Sequence, residues 1–186
     1  MKKLPEIFTA QLKLRRMKMS DLPSLIKYAN NEKITANIFN MSHPYRELDA
    51  IKRYNVVLQG LENENRYIFA ITLKTNNELI GEIGLNIDLD HNRAEVGYWI
   101  AEEFWGKGIA TEALSAALSF GFNTLELHKI FATHFLDNPS SVKVLIKNGM
   151  IKEGEFIDHY KINGVYKSHG QYRLTQSEYN AIQKNN

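Results

Sequence analysis

The sequence of 186 residues contains no cysteine and only four prolines. A chain without thiols cannot form a disulfide, a thiolate metal site or a covalent acyl-cysteine intermediate. These three kinds of chemistry are therefore excluded before any pattern is considered. The 44% share of hydrophobic residues and the 24% share of charged residues are typical of a folded globular chain. We expect one domain over residues 1–186.

Long hydrophobic runs are also missing. The first 21 residues, MKKLPEIFTAQLKLRRMKMSD, hold only short apolar pieces interrupted by Pro5, Glu6, Gln11 and Lys13, so no signal-peptide core forms. No stretch approaches the ~20 apolar residues of a membrane helix. We therefore expect a soluble cytoplasmic protein with no membrane partner.

An excess of one charge sign is absent as well. Lys and Arg total 23 against 21 for Asp and Glu, which gives a formal net charge of +2. This balance is too even for a protein that binds nucleic acid through bulk release of counterions. We expect no nucleic-acid partner.

The first half of the chain predicts strands and helices in mixed order. Residues 7–17 alternate like a strand, and Ser20 offers a cap for a helix over residues 21–31. A second helix is predicted from Pro44 to Gly60. Three apolar runs joined by short polar turns follow, YIFAITLK, ELIGEIGLNID and RAEVGYWI, and they predict an antiparallel meander.

The second half begins with a helix that has a stripe of small residues, which predicts close packing on the sheet. A strand KIFATHFL, a short helix VKVLIKNG and a hairpin with an Asn163-Gly164 turn come next, before a terminal helix. The strand–helix–strand unit over residues 93–136 should be a right-handed crossover, so its strands should be parallel. The predicted fold class is α+β, with α/β/α layers: a mixed, mostly antiparallel central sheet with one parallel strand pair and helices on both faces.

The segment from Trp105 to Thr111, WGKGIAT, is the most informative motif. Its two glycines run directly into the predicted helix, and glycines allow a ligand close to the backbone. The first amides of a helix lack internal partners, so the arrangement suits a phosphate or pyrophosphate. The pattern GxxxxGK[ST] does not occur, and the dinucleotide pattern GxGxxG fails at Thr111.

The sequence resembles the GNAT superfamily of acetyl-CoA-dependent N-acetyltransferases, and within it the RimJ/RimL type, which includes ribosomal-protein N-terminal acetyltransferases. The matching pieces occur in order over nearly the whole chain: LKLRRMKMSD, LIGEIGL, RAEVGYWIAEEFWGKGIATEAL, NPSSVKVLIKNGM and IKEGE. Each piece alone is weak, but the ordered combination is specific.

The resemblance implies a coenzyme A site. The family's pyrophosphate loop, Q/R-x-x-G-x-G/A, falls on residues 105–110, with Trp105 in place of Gln or Arg. Pantetheine would lie between the two parallel strands and pair with backbone near Tyr98, Trp99 and Ile100, and Asn138 resembles the family Asn that reaches pantetheine or the incoming substrate. The loop and helix positions expected to bind the coenzyme are Gly106, Lys107, Gly108, Ile109, Ala110 and Thr111.

A primary ammonium cannot attack a thioester, so the reaction needs an acceptor for the amine's proton. Glu95 is the first candidate base, because on its strand it shares a face with Gly97 and Trp99. The alternative is a Glu paired with a cross-strand Lys or Arg. Glu82, on the preceding strand, is the reserve candidate.

A proton donor to the leaving thiolate is the second catalytic candidate. The tyrosine acid of many superfamily members would fall near Leu145 and is absent. Ser141 matches the serine that RimL-type members place near the coenzyme sulfur. The alternative is that Ser141 is simply a residue at a helix N-terminus.

The six histidines show no zinc-site spacing, so we expect no metal. His134 is noted because its strand borders the predicted coenzyme cleft. Lys143 and Lys147, four residues apart, either face the coenzyme phosphates or lie on a solvated helix face.

The resulting expectation is an N-acetyltransferase that moves an acetyl group from acetyl-CoA to a primary amine, either a protein N-terminus or a small molecule. Because the chain has no thiol, direct attack in a ternary complex is favoured. The alternatives are a catalytically idle sensor module that binds coenzyme A or a nucleotide, and a protein-interaction domain. A monomer or a homodimer is expected.

Overall fold

A computed structural model describes residues 3–38, 41–162 and 164–184. Its strands form one eight-stranded sheet in the order β1-β2-β3-β4-β5-β6-β8-β7. The strands are β1 Ile7–Phe8, β2 Leu12–Arg15, β3 Arg66–Leu73, β4 Leu79–Asp88, β5 Arg93–Ile100, β6 Lys129–Phe135, β7 Ile151–Ile162 and β8 Val165–Thr175.

The helices pack on both faces of this sheet. They are α1 Leu22–Ala29, α2 Glu32–Thr35, α3 Glu47–Glu62, α4 Ile109–Asn123, α5 Pro139–Lys147 and α6 Gln176–Lys184. Within the described ranges, no helix combines the length and the apolar character needed to cross a membrane.

The strand pairing confirms the predicted fold class. Strands β3, β4 and β5 form the antiparallel meander, and β5 pairs with β6 in parallel. Strand β6 pairs antiparallel with β8, which pairs antiparallel with β7. The sheet is therefore mixed, and β5–β6 is its parallel pair.

Three predicted boundaries in the first third of the chain were wrong. Residues 7–17 form two short strands, because the Thr9 N–H donates to the Leu12 carbonyl over 3.0 Å and turns the chain back. Ser20 lies in a 3-10 turn, and Asp21 is the N-cap of α1. Helix α3 begins at Glu47 and continues through Gly60. A Cβ at Gly60 would lie 2.5 Å from the Arg66 Cβ, so this glycine allows a close approach to β3.

Two further differences concern short elements. Helix α5 begins at Pro139, earlier than predicted, because the Asn138 side chain caps it. Helix α2, of four residues, was not predicted. Asn163 of the predicted hairpin turn lies outside the described residues, while Gly164 has φ 84°.

The hydrophobic core has two parts, one on each face of the sheet. The part on one face includes buried residues of α4, and the part on the other face includes buried residues of α1 and α3. The small-residue stripe of α4 allows the predicted close approach: a Cβ at Gly121 would lie 2.5 Å from Ile130 Cδ1 on β6.

A buried ion pair joins β2 to the start of α1. Arg15 donates from Nη1 to Asp21 Oδ2 over 2.7 Å and from Nη2 to Asp21 Oδ1 over 2.8 Å. Their side chains are only 3% and 7% exposed. The Lys18 N–H also donates to Asp21, over 2.7 Å. This carboxylate therefore fixes where α1 begins.

We predict that Asp21→Asn lowers the free energy of unfolding by about 3–5 kcal/mol, because it leaves the buried Arg15 charge without a counterion. Urea denaturation measures the change. Glu6→Gln is the matched control: Glu6 pairs with Lys13 at 2.8 Å on the surface, where such pairs contribute little. Equal stability of the two variants would contradict a structural role for the Arg15–Asp21 pair.

Candidate active site

The site begins where β5 and β6 separate. Their parallel pairing covers Arg93–Glu95 on β5 and Lys129–Phe131 on β6, although both strands continue further. Beyond Glu95, no strand in the described part of the chain pairs with this edge of β5. Its backbone groups can pair with an extended ligand, apart from the Ile100 carbonyl, which accepts a hydrogen bond from Trp105. The separation opens a cleft of about 1260 Å³.

Strand β5 divides the cleft into two sides. Val96 and Ile100 belong to the core beneath α4, and Tyr98 packs against it. Trp99 belongs to the core beneath α1 and α3. By strand alternation, Glu95 shares the Trp99 side. Consecutive residues of one strand therefore face two different sides of the cleft, the α4 side and the α3 side.

The glycine loop lies at the end of the α4 side. Gly106 has φ 74° and Gly108 has φ 80°, and no protein atom would lie within 4 Å of a Cβ at either position. Gly108 is the N-cap of the 15-residue helix α4. Open space above the glycines and unpaired helix amides together form an anion-binding cradle.

The Trp105 side chain holds the glycine loop against the end of β5. Its indole Nε1 donates a hydrogen bond to the Ile100 carbonyl over 2.7 Å. The residue that departs from the family pattern thus ties the loop to the last residue of β5. Lys107 is the predicted coenzyme residue that does not line the cleft; its Nζ lies 5.2 Å from the centre of the Phe104 ring.

The other predicted site residues are brought together by the fold. All of them line the same cleft: Glu95, Tyr98, Trp99, Ile100, Gly106, Gly108, Ile109, Ala110, Thr111, Asn138 and Ser141. Lys143 and Lys147 line it as well, on the side formed by α5.

Helix α5 brings the Ser141 hydroxyl to the Tyr98 hydroxyl of β5 in the cleft. The Ser141 Oγ and the Tyr98 hydroxyl are 3.1 Å apart. Burial raises the pKa of Tyr98, and the hydrogen bond with Ser141 offsets only part of that rise. Asn138 accepts the Ser141 N–H at its Oδ1 over 3.3 Å, so this Asn acts as the cap of α5.

Glu95 is held by the neighbouring strand. Thr133 of β6 donates from Oγ1 to Glu95 Oε1 over 2.7 Å. Among the described residues, Glu95 has no Lys or Arg at ion-pair distance, so the alternative of a charge-paired Glu95 was wrong. A carboxylate with a single neutral hydrogen-bond donor keeps lone pairs for a ligand or water.

Glu82, the reserve candidate base, has a charged hydrogen-bond partner, unlike Glu95. Arg53 of α3 donates from Nε and from Nη2 to Glu82 Oε2, over 2.9 and 2.7 Å. The Glu82 residue is 2% exposed. Burial alone would lower the pKa of Arg53, but the charge and hydrogen bonds of Glu82 outweigh it, so the pKa is raised. The pair carries no net charge.

Sequence patterns did not identify Arg53, Tyr45 or Thr133 as site residues. Arg53 occupies an ordinary position in an amphipathic helix, and only the packing of α3 on the sheet brings it to Glu82. Thr133 reaches Glu95 through the parallel pairing of β6 with β5. Proximity of this kind is not visible in local spacing.

His134 also lines the cleft. Its Nδ1 lies 2.8 Å from the Phe135 carbonyl oxygen, which requires a proton on that nitrogen. Across the described ranges, no group of three or more His, Asp or Glu side chains is arranged to hold a metal ion.

The ionisable lining of the cleft is not acidic. It comprises six basic side chains, Lys33, Lys52, Arg53, Arg66, Lys143 and Lys147, and four acidic ones, Asp49, Glu82, Glu95 and Asp137. Without the two lysines of α5, the two signs are equal in number. Among the described residues that line it, the cleft therefore has no excess of negative charge that would attract a polycation.

Comparison with known proteins agrees with this geometry. Residues 11–151 match the family described as "Acetyltransferase (GNAT) domain". The chain is 33% identical to the uncharacterized N-acetyltransferase p20 of Bacillus licheniformis over 177 residues, covering 93% of this chain and 97% of that protein.

Solved structures show the same fold. Spermidine N-acetyltransferase from Vibrio cholerae, in complex with CoA and spermine, is 29% identical with a TM-score of 0.79, covering 92% of this chain and 99% of that chain. RimL, a ribosomal L7/L12 α-N-protein acetyltransferase in complex with coenzyme A, has a TM-score of 0.84 at 21% identity, covering 92% of this chain and 98% of that chain.

The family match covers most of the chain, and the p20 relative exceeds 30% identity over nearly its full length. The chain therefore belongs to the GNAT family and is an acetyl-CoA-dependent N-acetyltransferase.

Proposed function

We propose that this single domain transfers the acetyl group of acetyl-CoA to a primary amine by direct attack in a ternary complex. The observation that carries the proposal is the two-sided cleft at β5. On the α4 side it has a glycine cradle and an unpaired strand edge, and on the α3 side it has carboxylates. The chain supplies no thiol for a covalent intermediate.

The α4 side suits the coenzyme. A pyrophosphate fits the cradle at Gly106 and Gly108, where positive charge from the α4 dipole and open space coincide. Pantetheine can pair with the edge of β5 near Tyr98, Trp99 and Ile100, apart from the Ile100 carbonyl, which accepts from Trp105. Lys143 and Lys147 add positive charge near the phosphates.

The α3 side suits the acceptor amine. In the proposed reaction, Glu95 takes a proton from the ammonium directly or through water, and Thr133 holds its carboxylate in place. The neutral nitrogen then forms a C–N bond to the thioester carbonyl carbon. The nitrogen releases its second proton to solvent, the C–S bond breaks and its electron pair leaves with the sulfur, so that a neutral amide is formed.

The hydroxyl pair of Tyr98 and Ser141 supports a proton donor for that sulfur. Ser141 would donate its hydroxyl proton to the sulfur, and the Tyr98 hydroxyl would donate a proton to the Ser141 oxygen in its place. Because the pKa of Tyr98 is raised above its ordinary value of ~10, its hydroxyl stays protonated through neutral and mildly alkaline pH.

The acceptor class is open between two types named among the similar proteins, a polyamine and a protein N-terminus. The named relatives are N-acetyltransferases, which gives no support to an idle sensor module. The direct test mixes the protein with acetyl-CoA and a panel of peptides and small amines, and follows thiol release. Background hydrolysis with every amine would refute the proposal.

We predict that Gly108→Val weakens acetyl-CoA binding at least tenfold, because the side chain fills the cradle and a β-branched residue is strained at φ 80°. Titration calorimetry measures the affinity. Gly164→Val is the matched control, since Gly164 has φ 84°, has no neighbour within 4 Å of its Cβ position and lies in the β7–β8 hairpin. Unchanged affinity in Gly108→Val would contradict the pyrophosphate assignment.

We predict that Glu95→Gln lowers kcat by about 10²–10⁴-fold, the usual contribution of a general base, with little change in acetyl-CoA affinity. Steady-state kinetics and a thermal shift with acetyl-CoA measure the two effects. The control is Glu62→Gln, an exposed site on α3. A wild-type rate in Glu95→Gln would move the base to Glu82 or to water.

We predict that Ser141→Ala lowers kcat by about tenfold or less, because a thiolate with a solution pKa of ~8.5 leaves readily without a donor. The deficit should persist between about pH 7 and 9, where Tyr98 keeps its proton. Ser115→Ala on the exposed face of α4 is the control. Identical rates for these two variants would reduce Ser141 to a structural residue.

A further inference from the structure

Three buried polar atoms on the α3 side of the cleft have no hydrogen-bond partner among the residues that the structure describes. They are Glu82 Oε1, Trp99 Nε1 and the Tyr45 hydroxyl oxygen. The three residues are 2%, 6% and 5% exposed, and all line the cleft. Buried polar atoms without partners are rare, so three of them around one cavity indicate that a ligand completes their hydrogen bonds.

The sheet register makes two of these residues direct neighbours. Glu82 on β4 is directly opposite Trp99 on β5, the next pair on that face is Gly84–Gly97, and the following pair is Asn86–Glu95. A Cβ at Gly97 would meet nothing within 4 Å, so the space above Gly97 is open, whereas Ile68 Cγ1 would lie 2.7 Å from a Cβ at Gly84. The glycine pair is about 7 Å from the pair on either side. An amine above Gly97 therefore lies between the base Glu95 and the Glu82–Trp99 pair.

The free atoms define the chemistry of the group that fits. Glu82 Oε1 accepts a hydrogen bond, and Trp99 Nε1–H donates one. Burial and the Glu82 charge raise the pKa of Tyr45, so its hydroxyl keeps its proton and can also donate. The complementary group has an N–H donor beside an oxygen acceptor, as a carboxamide does.

A second ammonium group does not fit this position. Arg53 already neutralises Glu82 through two hydrogen bonds to Oε2. A further cation would meet the Arg53 charge in a buried setting with no net negative charge to offset it. Lys52 and Arg66 line the cleft as well, and the Asp49 carboxylate near Tyr45 offsets only one of these two charges.

We propose that Glu82, Trp99 and Tyr45 form a recognition subsite for an uncharged carboxamide next to the reacting amine. The N–H of the amide donates to Glu82 Oε1, and its oxygen accepts from Trp99 Nε1. This subsite rests on the proposed function and makes the acceptor an amino-acid amide or a peptide N-terminus. Arg53 is its positioning residue, since it fixes the Glu82 carboxylate.

The test compares kcat/KM for four acceptors with saturating acetyl-CoA: glycinamide, the tripeptide Ala-Ala-Ala, n-propylamine and spermidine. The first two carry the amide, and they distinguish an amino-acid amide from a peptide. For each variant, the kcat/KM of glycinamide is divided by that of propylamine and compared with the same ratio for the wild type. Differences in the intrinsic reactivity of the two amines then cancel.

Glu82→Gln keeps the shape, and its carbonyl oxygen can still face Arg53. Its amide NH₂ would then stand where Oε1 accepts, opposite the donor of the ligand. We expect the glycinamide-to-propylamine ratio to fall by about ten- to a hundredfold, mainly through KM, which is the loss typical for a hydrogen bond to a charged group. Trp99→Phe removes the indole N–H and should lower the same ratio. The control Glu62→Gln should leave it unchanged.

The possible outcomes distinguish a failure of the proposed subsite from a failure of the proposed reaction. An unchanged ratio in both variants, each shown to be folded by its thermal transition, overturns the subsite. An equal fall for both amines in Glu82→Gln also overturns it, and identifies Glu82 as a base. A wild-type protein that acetylates propylamine and spermidine better than either amide-bearing acceptor overturns the subsite and leaves the proposed function standing. A wild-type protein that acetylates none of the four overturns both.

Discussion

The separation of β5 from β6 after Glu95 is the constraint on which the site depends. Two parallel strands that stay paired would use all their inner backbone groups on each other. Here the pairing ends after Glu95 and Phe131, so the following residues of β5 keep a free edge within the fold. The glycine loop follows directly from the end of β5, and α5 follows from the end of β6. The glycine loop and α5 thus lie at the end of the sheet where β5 and β6 diverge.

Local sequence patterns were sufficient to predict the order and packing of the main strands and helices. The alternation in RAEVGYWI placed Trp99 and Tyr98 on opposite faces, and the small residues of α4 indicated its close packing on the sheet. The crossover rule predicted the parallel pair. Boundaries were less accurate where a side chain or a tight turn decides them, as at Asp21, which begins α1 in place of the predicted Ser20.

The chemistry of the site was less visible. The positions of Glu95 and Ser141 could be named from the sequence, but their partners could not, because Thr133 and Tyr98 reach them across the fold. Asn138 serves as a helix cap, a role that the family resemblance did not suggest. Arg53 is separated from Glu82 by 29 positions in the chain, and no local spacing links them. Tertiary contacts therefore decide which of the two carboxylates is free.

The two faces of β5 also limit how this enzyme can vary. Tyr98 faces α4 and Trp99 faces α3, and the period of two along a strand means that inserting or deleting one residue would exchange the two sets of side chains. The hydroxyl that meets Ser141 would then point to the α3 side of the cleft, and the indole would point to the α4 side. A substitution on one face of β5 changes one side of the cleft and leaves the other unchanged. A change in the length of β5 would alter both sides together.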